Sequence, residues 1–177
     1  MGLEYLKHVD AVEATTIDAL MDEYGDDVVR YAYAITKDRE LAKDIAQETF
    51  IRAHRKIDTF RGQSSVRTWL QTITRNMALN QLSSGYLRRV LSFAIVKPRQ
   101  TAMSAEAAYL GQQSAKDIWQ VILALPVKLR EVLSLDLQQE LSVTEMAELL
   151  GIPEGTVKSR LYRARQKVEE AMKGWER

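Results

Sequence analysis

Apolar residues recur along most of this chain every three or four positions, the spacing of one face of a helix. Ile17, Leu20, Met21, Tyr24, Val28, Tyr31 and Ile35 predict a helix from about Ile17 to Thr36. A second is expected from near Asp38 to about Ile57. At ~100° per residue, Leu41, Ala42, Ile45, Ala46, Thr49, Ala53 and Ile57 turn toward a core, while Asp44, Gln47, Glu48, Ile51 and Arg55 turn away. Asp58–Ser65 then reads as a polar loop with one glycine and two serines able to cap a helix. A third helix is expected from about Ser65 to Leu82, with Val66, Leu70, Ile73 and Met77 as its apolar stripe and Trp69 at the edge. No segment sustains the period-two alternation of a half-buried strand.

Residues 83–112 read as a connector, opened by Ser83-Ser84-Gly85 and holding the apolar run Val90–Val96 before Lys97-Pro98. Helical character resumes near Ser114, breaks at Leu125-Pro126 and continues from about Val127 to Gln139. Ser142-Val-Thr-Glu145 is a capping box, in which serine and glutamate each satisfy a free amide of the first turn. Its short helix ends at Gly151-Ile-Pro153, and a longer basic helix runs from about Glu154 to Met172. A short helix, a tight turn and a longer basic helix form a helix-turn-helix pattern. On that last helix Val157, Leu161, Ala164 and Val168 share one narrow stripe. The opposite face presents Ser159, Tyr162, Arg163 and Gln166, flanked by Thr156, Lys158 and Arg160. These groups suit base edges and phosphates in a major groove. The fold expected is all-α, with two small helical domains joined by a linker.

With 177 residues, 46% hydrophobic and 28% charged, the composition is that of a soluble globular protein. There is no cysteine, which excludes disulfides, thiolate chemistry and cysteine-based zinc modules. No stretch approaches the ~18 apolar residues of a membrane span, and the acidic N-terminus does not read as a secretory signal. A cytosolic protein without membrane insertion is therefore expected. The net charge of +1 is unevenly distributed. Residues 1–27 carry eight acids against Lys7, whereas residues 52–75 carry six cations against Asp58. Residues 158–167 hold Lys158, Arg160, Arg163, Arg165 and Lys167 with no acid. Two separated basic clusters point to a polyanion.

Candidate chemistry is that of binding. His8 and His54, the only histidines, lack metal-ligand spacing, and Gly62, Gly85, Gly111 and Gly151 are isolated rather than gathered in a phosphate loop. Ser64-Ser65 has no histidine base in its pattern. No catalytic residue, metal, cofactor or small-molecule substrate is expected. Phe60, Ser64, Trp69, Thr72, Arg75 and Asn76 offer the aromatic, hydroxyl, amide and cationic groups that an unstacked base requires. Ile51 among acids and a glutamine has the character of an interface, an apolar anchor with a polar rim.

Three strings carry a resemblance. Asp44-Ile-Ala-Gln-Glu-Thr-Phe-Ile-Arg-Ala53 resembles the core-binding segment of bacterial RNA polymerase sigma factors. Phe60-Arg-Gly-Gln-Ser-Ser with Thr68-Trp-Leu-Gln-Thr-Ile-Thr-Arg-Asn76 resembles the adjoining −10 recognition segment. Leu125-Pro126, Arg130-Glu-Val-Leu133 and Gly155–Arg165 resemble the −35 domain, and the short chain is similar to the extracytoplasmic-function (ECF) group. The resemblance implies a region 2 domain over residues 1–84, a linker over 85–112 and a region 4 domain over 113–177. It implies that Asp44, Gln47, Glu48 and Ile51 meet the β′ clamp coiled coil of core polymerase, and that the C-terminal domain meets the β flap. Phe60, Arg61, Ser64, Trp69, Arg75 and Asn76 would serve the −10 element, with a flipped base held by Phe60, Ser64 and Asn76. Lys158, Ser159, Tyr162 and Arg163 would enter the −35 major groove, beside Thr156, while Arg160 and Arg165 touch phosphates. An anti-sigma protein would hold the factor silent. The chain departs from the family pattern after Asn76: it reads Asn80-Gln-Leu-Ser-Ser84 where many members have an acid and a basic pair, and Arg88-Arg89 comes later. A stand-alone DNA-binding regulator is the alternative, and it leaves the Asp44–Arg55 face and the Phe60–Asn76 segment without a role.

Overall fold

The computed structural model describes residues 17–91, 113–137 and 141–173, with the backbone alone for 85–91 and 113–117. The acidic first 16 residues and most of the 85–112 linker lie outside the described residues, as does the apolar run beyond Leu91. Every long element among the described residues is an α-helix.

The first helix, α1, spans Ile17–Thr36 as its spacing predicts, burying Leu20, Val28, Tyr31, Ala32 and Ile35. Met21 is exposed, because the Leu20–Val28–Tyr31–Ile35 stripe fixes the rotation and leaves Met21 off its edge. The chain reverses at Lys37, whose φ of 60° is unusual for a non-glycine residue. Its N–H donates to Tyr33 O at 2.8 Å, closing the helix end. Asp38 then caps α2 (Arg39–Lys56) by accepting from Leu41 N at 3.1 Å. Ala42, Ile45, Ala46, Thr49 and Ala53 are buried as projected, joined by Phe50.

A single 3-10 turn, Ile57–Thr59, leads into the polar loop. Of the two candidate caps, Ser65 serves: its hydroxyl accepts from Thr68 N at 3.1 Å. The helix it opens, α3, runs Val66–Leu91, nine residues beyond the end expected at Leu82. Ser83 and Ser84 do not break it, because their hydroxyls donate back to Asn80 O and Gln81 O within the helix.

In the C-terminal half, α4 (Gln113–Ala124) stops before Pro126 and α5 (Val127–Leu137) follows it. The capping box is formed: Ser142 Oγ accepts from Glu145 N, and Glu145 Oε2 accepts from Ser142 N at 2.8 Å. It opens α6 (Val143–Leu150), which ends at Gly151 in the left-handed conformation, φ 65°. An L side chain is disfavoured there, so glycine allows the tight turn into α7 (Glu154–Lys173).

Each half has a buried cluster of its own, and a third cluster is shared between them. Tyr31 and Ile35 of α1 and Ala78 of α3 share one buried cluster with Leu135 of α5, Met146 of α6 and Val157 of α7. The pattern of each helix showed which side is apolar. It could not show that part of that side faces the other half.

Candidate nucleic-acid interface

On α7, Val157, Leu161 and Ala164 are buried, with Val168 half-buried beside them. Rotation fixed by that stripe leaves Lys158, Ser159, Tyr162, Arg163 and Arg165 exposed, and Thr156 and Arg160 half-buried. Tyr162 is 63% exposed, far more than a core aromatic, and its hydroxyl accepts from Gln166 Nε2 at 2.8 Å. Ser159 Oγ donates to Thr156 O at 3.0 Å. Lys158 lies 3.8 Å from Glu154, a loose exposed pair of little energetic weight. Arg165 is held differently, 2.7 Å from Asp136 of α5. Among the described residues no carboxylate pairs with Arg160 or Arg163. The predicted reading face is thus assembled, with Arg165 tethered at its flank.

The second cluster is assembled in part. Phe60 and Trp69 rings lie 4.8 Å apart, tilted at 39°, and both are half-buried against the Leu20, Phe50 and Leu70 cluster. They therefore serve the core as well as any surface. Ser64 is half-buried, its hydroxyl 3.4 Å from Ser65 O, and Arg61 is exposed. Asn76 is exposed on the same face of α3 as Trp69, but seven residues and about 10 Å further along the axis. Arg75 departs most from expectation: its Nε donates to Glu131 Oε1 of α5 at 2.8 Å.

On α2, Asp44 and Gln47 are exposed, and Glu48 and Ile51 are half-buried on the side away from the core. Glu48 pairs with Arg52 at 2.8 Å, one helical turn on. The four residues form one stripe with an apolar member, as projected.

Sequence reasoning placed Arg130 and Glu131 in the −35-domain resemblance without giving either a role, and did not single out Asp136. Both Arg130 and Glu131 are almost fully buried, rare for charged residues unless paired. The signal available was an adjacent charged pair flanked by Leu129 and Val132-Leu133. Burial, and secondarily Glu131, push the Tyr31 phenol above its ordinary range. Burial, reinforced by Arg130, lowers the Lys37 ammonium. No group of three metal-ligating side chains occurs among the described residues, and none of their helices is long and apolar enough to cross a membrane.

Fold and surface together define a helical protein with a helix-turn-helix and a second, mixed aromatic and polar face. Residues 20–89 match Sigma-70 region 2 and residues 115–168 match Sigma-70, region 4. The chain is 30% identical to the ECF RNA polymerase sigma factor SigW of Bacillus subtilis, across 95% of both chains. It is also 30% identical to the RNA polymerase sigma-H factor of Pseudomonas aeruginosa, across 96% of this chain and 92% of that one. Among solved structures, the sigma factor RpoE in complex with the anti-sigma factor NepR from Bartonella quintana matches with a TM-score of 0.74 and 25% identity, covering 87% of this chain and 96% of that one. The chain belongs to the ECF group of RNA polymerase sigma factors. Its work is promoter-directed transcription initiation, a binding function rather than an enzymatic one.

Proposed function

We propose that this sigma factor docks on the β′ clamp coiled coil of core polymerase through Asp44, Gln47, Glu48 and Ile51. Lys158, Ser159, Tyr162 and Arg163 read the −35 major groove beside Thr156, while Arg160 and Arg165 hold phosphates. Phe60, Ser64, Trp69 and Asn76, with Arg61 and Arg75, bind the melted −10 strand, stacking on aromatics and pairing cations with the backbone. The observation that carries this reading is the exposed, acid-free face of α7 directly after a formed capping box and left-handed glycine turn. A stand-alone regulator would use that face too, but the Asp44–Ile51 stripe favours a factor that must also hold a large protein partner.

The C-terminal half carries an apolar groove of about 480 Å³, floored by Ile118, Ile122, Leu133, Leu137, Val168 and Met172. This supports a contact with the β flap. The likeness to RpoE bound to NepR supports control by an anti-sigma protein. Such a factor acts in the cytoplasm, where its polymerase is. Core polymerase pull-down with competition by another sigma subunit tests the reading: displacement is expected, whereas simultaneous binding would favour the regulator.

A further inference from the structure

The turn between α6 and α7 is spanned by a bond between two side chains. Thr144, in the first turn of α6, donates from Oγ1 to Glu154 Oε1 at 2.7 Å. Glu154 is the first residue of α7. Both residues are exposed, so the bond adds little to packing; it fixes where the carboxylate sits. The other oxygen, Oε2, lies 3.8 Å from Lys158 Nζ, beyond hydrogen-bond range. A carboxylate offers about four lone-pair sites, and Thr144 takes one of them. Glu154, Lys158 and Tyr162 recur every four residues, and all three are exposed along one side of α7. In a helix-turn-helix, the residues that reach base edges lie at the N-terminal end of the second helix. An acid at a helix start also suits the helix dipole, but that role needs no bond to Thr144.

We propose that Glu154 is a further specificity-determining residue, held by Thr144, whose Oε2 accepts a hydrogen bond from the N4 amino group of a cytosine in the −35 element. This rests on the promoter reading above, which puts α7 in the major groove. There a C·G pair presents a donor, cytosine N4, beside an acceptor, guanine O6. Glu154 supplies an acceptor and Lys158, one turn on, supplies a donor. The couple therefore matches that pair in one orientation only. A reversed pair sets guanine O6 against the carboxylate, two acceptors with no proton between them. The charge also acts against indiscriminate binding, because a carboxylate near phosphates is repelled on any sequence. Only the matched cytosine offsets that repulsion, so a contact with the right base is combined with a penalty for the others. Thr144 is a positioning residue: without its hydroxyl the carboxylate is free to swing onto Lys158 and neutralise it.

The test uses the full chain bound to core polymerase, selected on a duplex promoter library with a randomised −35 element. The unsubstituted protein should enrich cytosine at one position roughly tenfold over the other bases. Glu154→Gln should move that position toward adenine, because a glutamine amide pairs with adenine N6 and N7. Glu154→Ala should flatten the preference there and raise retention of non-matching duplexes roughly threefold, since a charge that repels phosphate is gone. Thr144→Ala should weaken the cytosine preference, and Thr144→Ser, which keeps the hydroxyl, should restore it. A −35 preference without cytosine, or with a cytosine unmoved by Glu154→Ala while Arg163→Ala still moves other positions, would overturn the role of Glu154 and leave α7 as the reading helix. A library recovered with no −35 preference at all would overturn the promoter reading of α7, and Glu154 with it.

Discussion

The two helices proposed to face DNA, α7 and α3, differ in how their cations are held. On α7, Arg163 stands in solvent with no carboxylate partner among the described residues. On α3, Arg75 is half-buried and committed to a glutamate from the other half of the molecule. The first surface is complete in the folded chain. On the second, Arg75 is already engaged within the folded chain. An exposed cationic face can attract a polyanion at long range, whereas a cation already paired with a carboxylate is largely neutralised.

The largest expected effect breaks the paired side of this contrast. Arg130→Ala leaves carbonyls at two helix ends without their donor. Each buried carbonyl left unsatisfied should cost about 1–3 kcal/mol, read as a lower midpoint in denaturant-induced unfolding of the full chain. Next, Asp44→Arg should weaken core polymerase binding by several kcal/mol, through like-charge repulsion with a basic partner. Asp44 is exposed, so circular dichroism should not change. Unchanged core affinity would remove α2 from the interface.

Phe60→Ala with Asn76→Ala should abolish open-complex formation on duplex promoters, since each lost base stack costs about 1–3 kcal/mol. A template already mismatched across the −10 region should recover part of the activity. Equal loss on both templates would assign Phe60 to the core it partly lines.

The smallest effects sharpen the exposed side. Arg163→Ala should cost about 1–3 kcal/mol on the preferred −35 sequence and relax preference at one or two positions. Arg165→Ala should weaken all sequences alike and lower the salt slope by about one unit. The Asp136 pair already draws on Arg165, so Asp136→Asn should strengthen binding slightly without changing preference. Titrations belong on the full chain, because the C-terminal half shares its core with the N-terminal half. Equal losses on consensus and scrambled duplexes for Arg163→Ala would move base reading to Lys158 and Ser159.

Local features were legible in the sequence because local forces set them. The α1 stripe, the Asp38 cap, the Ser142–Glu145 box and the Gly151 turn each depend on residues within a few positions. The outward face of α7 followed from the same geometry, as did the stripe on α2. What stayed hidden depends on distant partners. Arg75 meets Glu131 across 56 residues, and Arg130 meets Ile35 across 95. Periodicity marks a side as apolar without naming what covers it. The extension of α3 to Leu91 was missed for a smaller reason: two serines read as a break can bond back along the helix instead.

Promoter direction is tested most directly by sequencing the 5′ ends of transcripts that core polymerase makes with this protein on genomic DNA. Discrete start sites should appear, each preceded by a shared −35 and −10 pair at fixed spacing. The −35 sequences should shift when Arg163 is replaced by alanine. Start sites identical to those of core polymerase alone would contradict a sigma role, whatever affinity α7 showed for DNA.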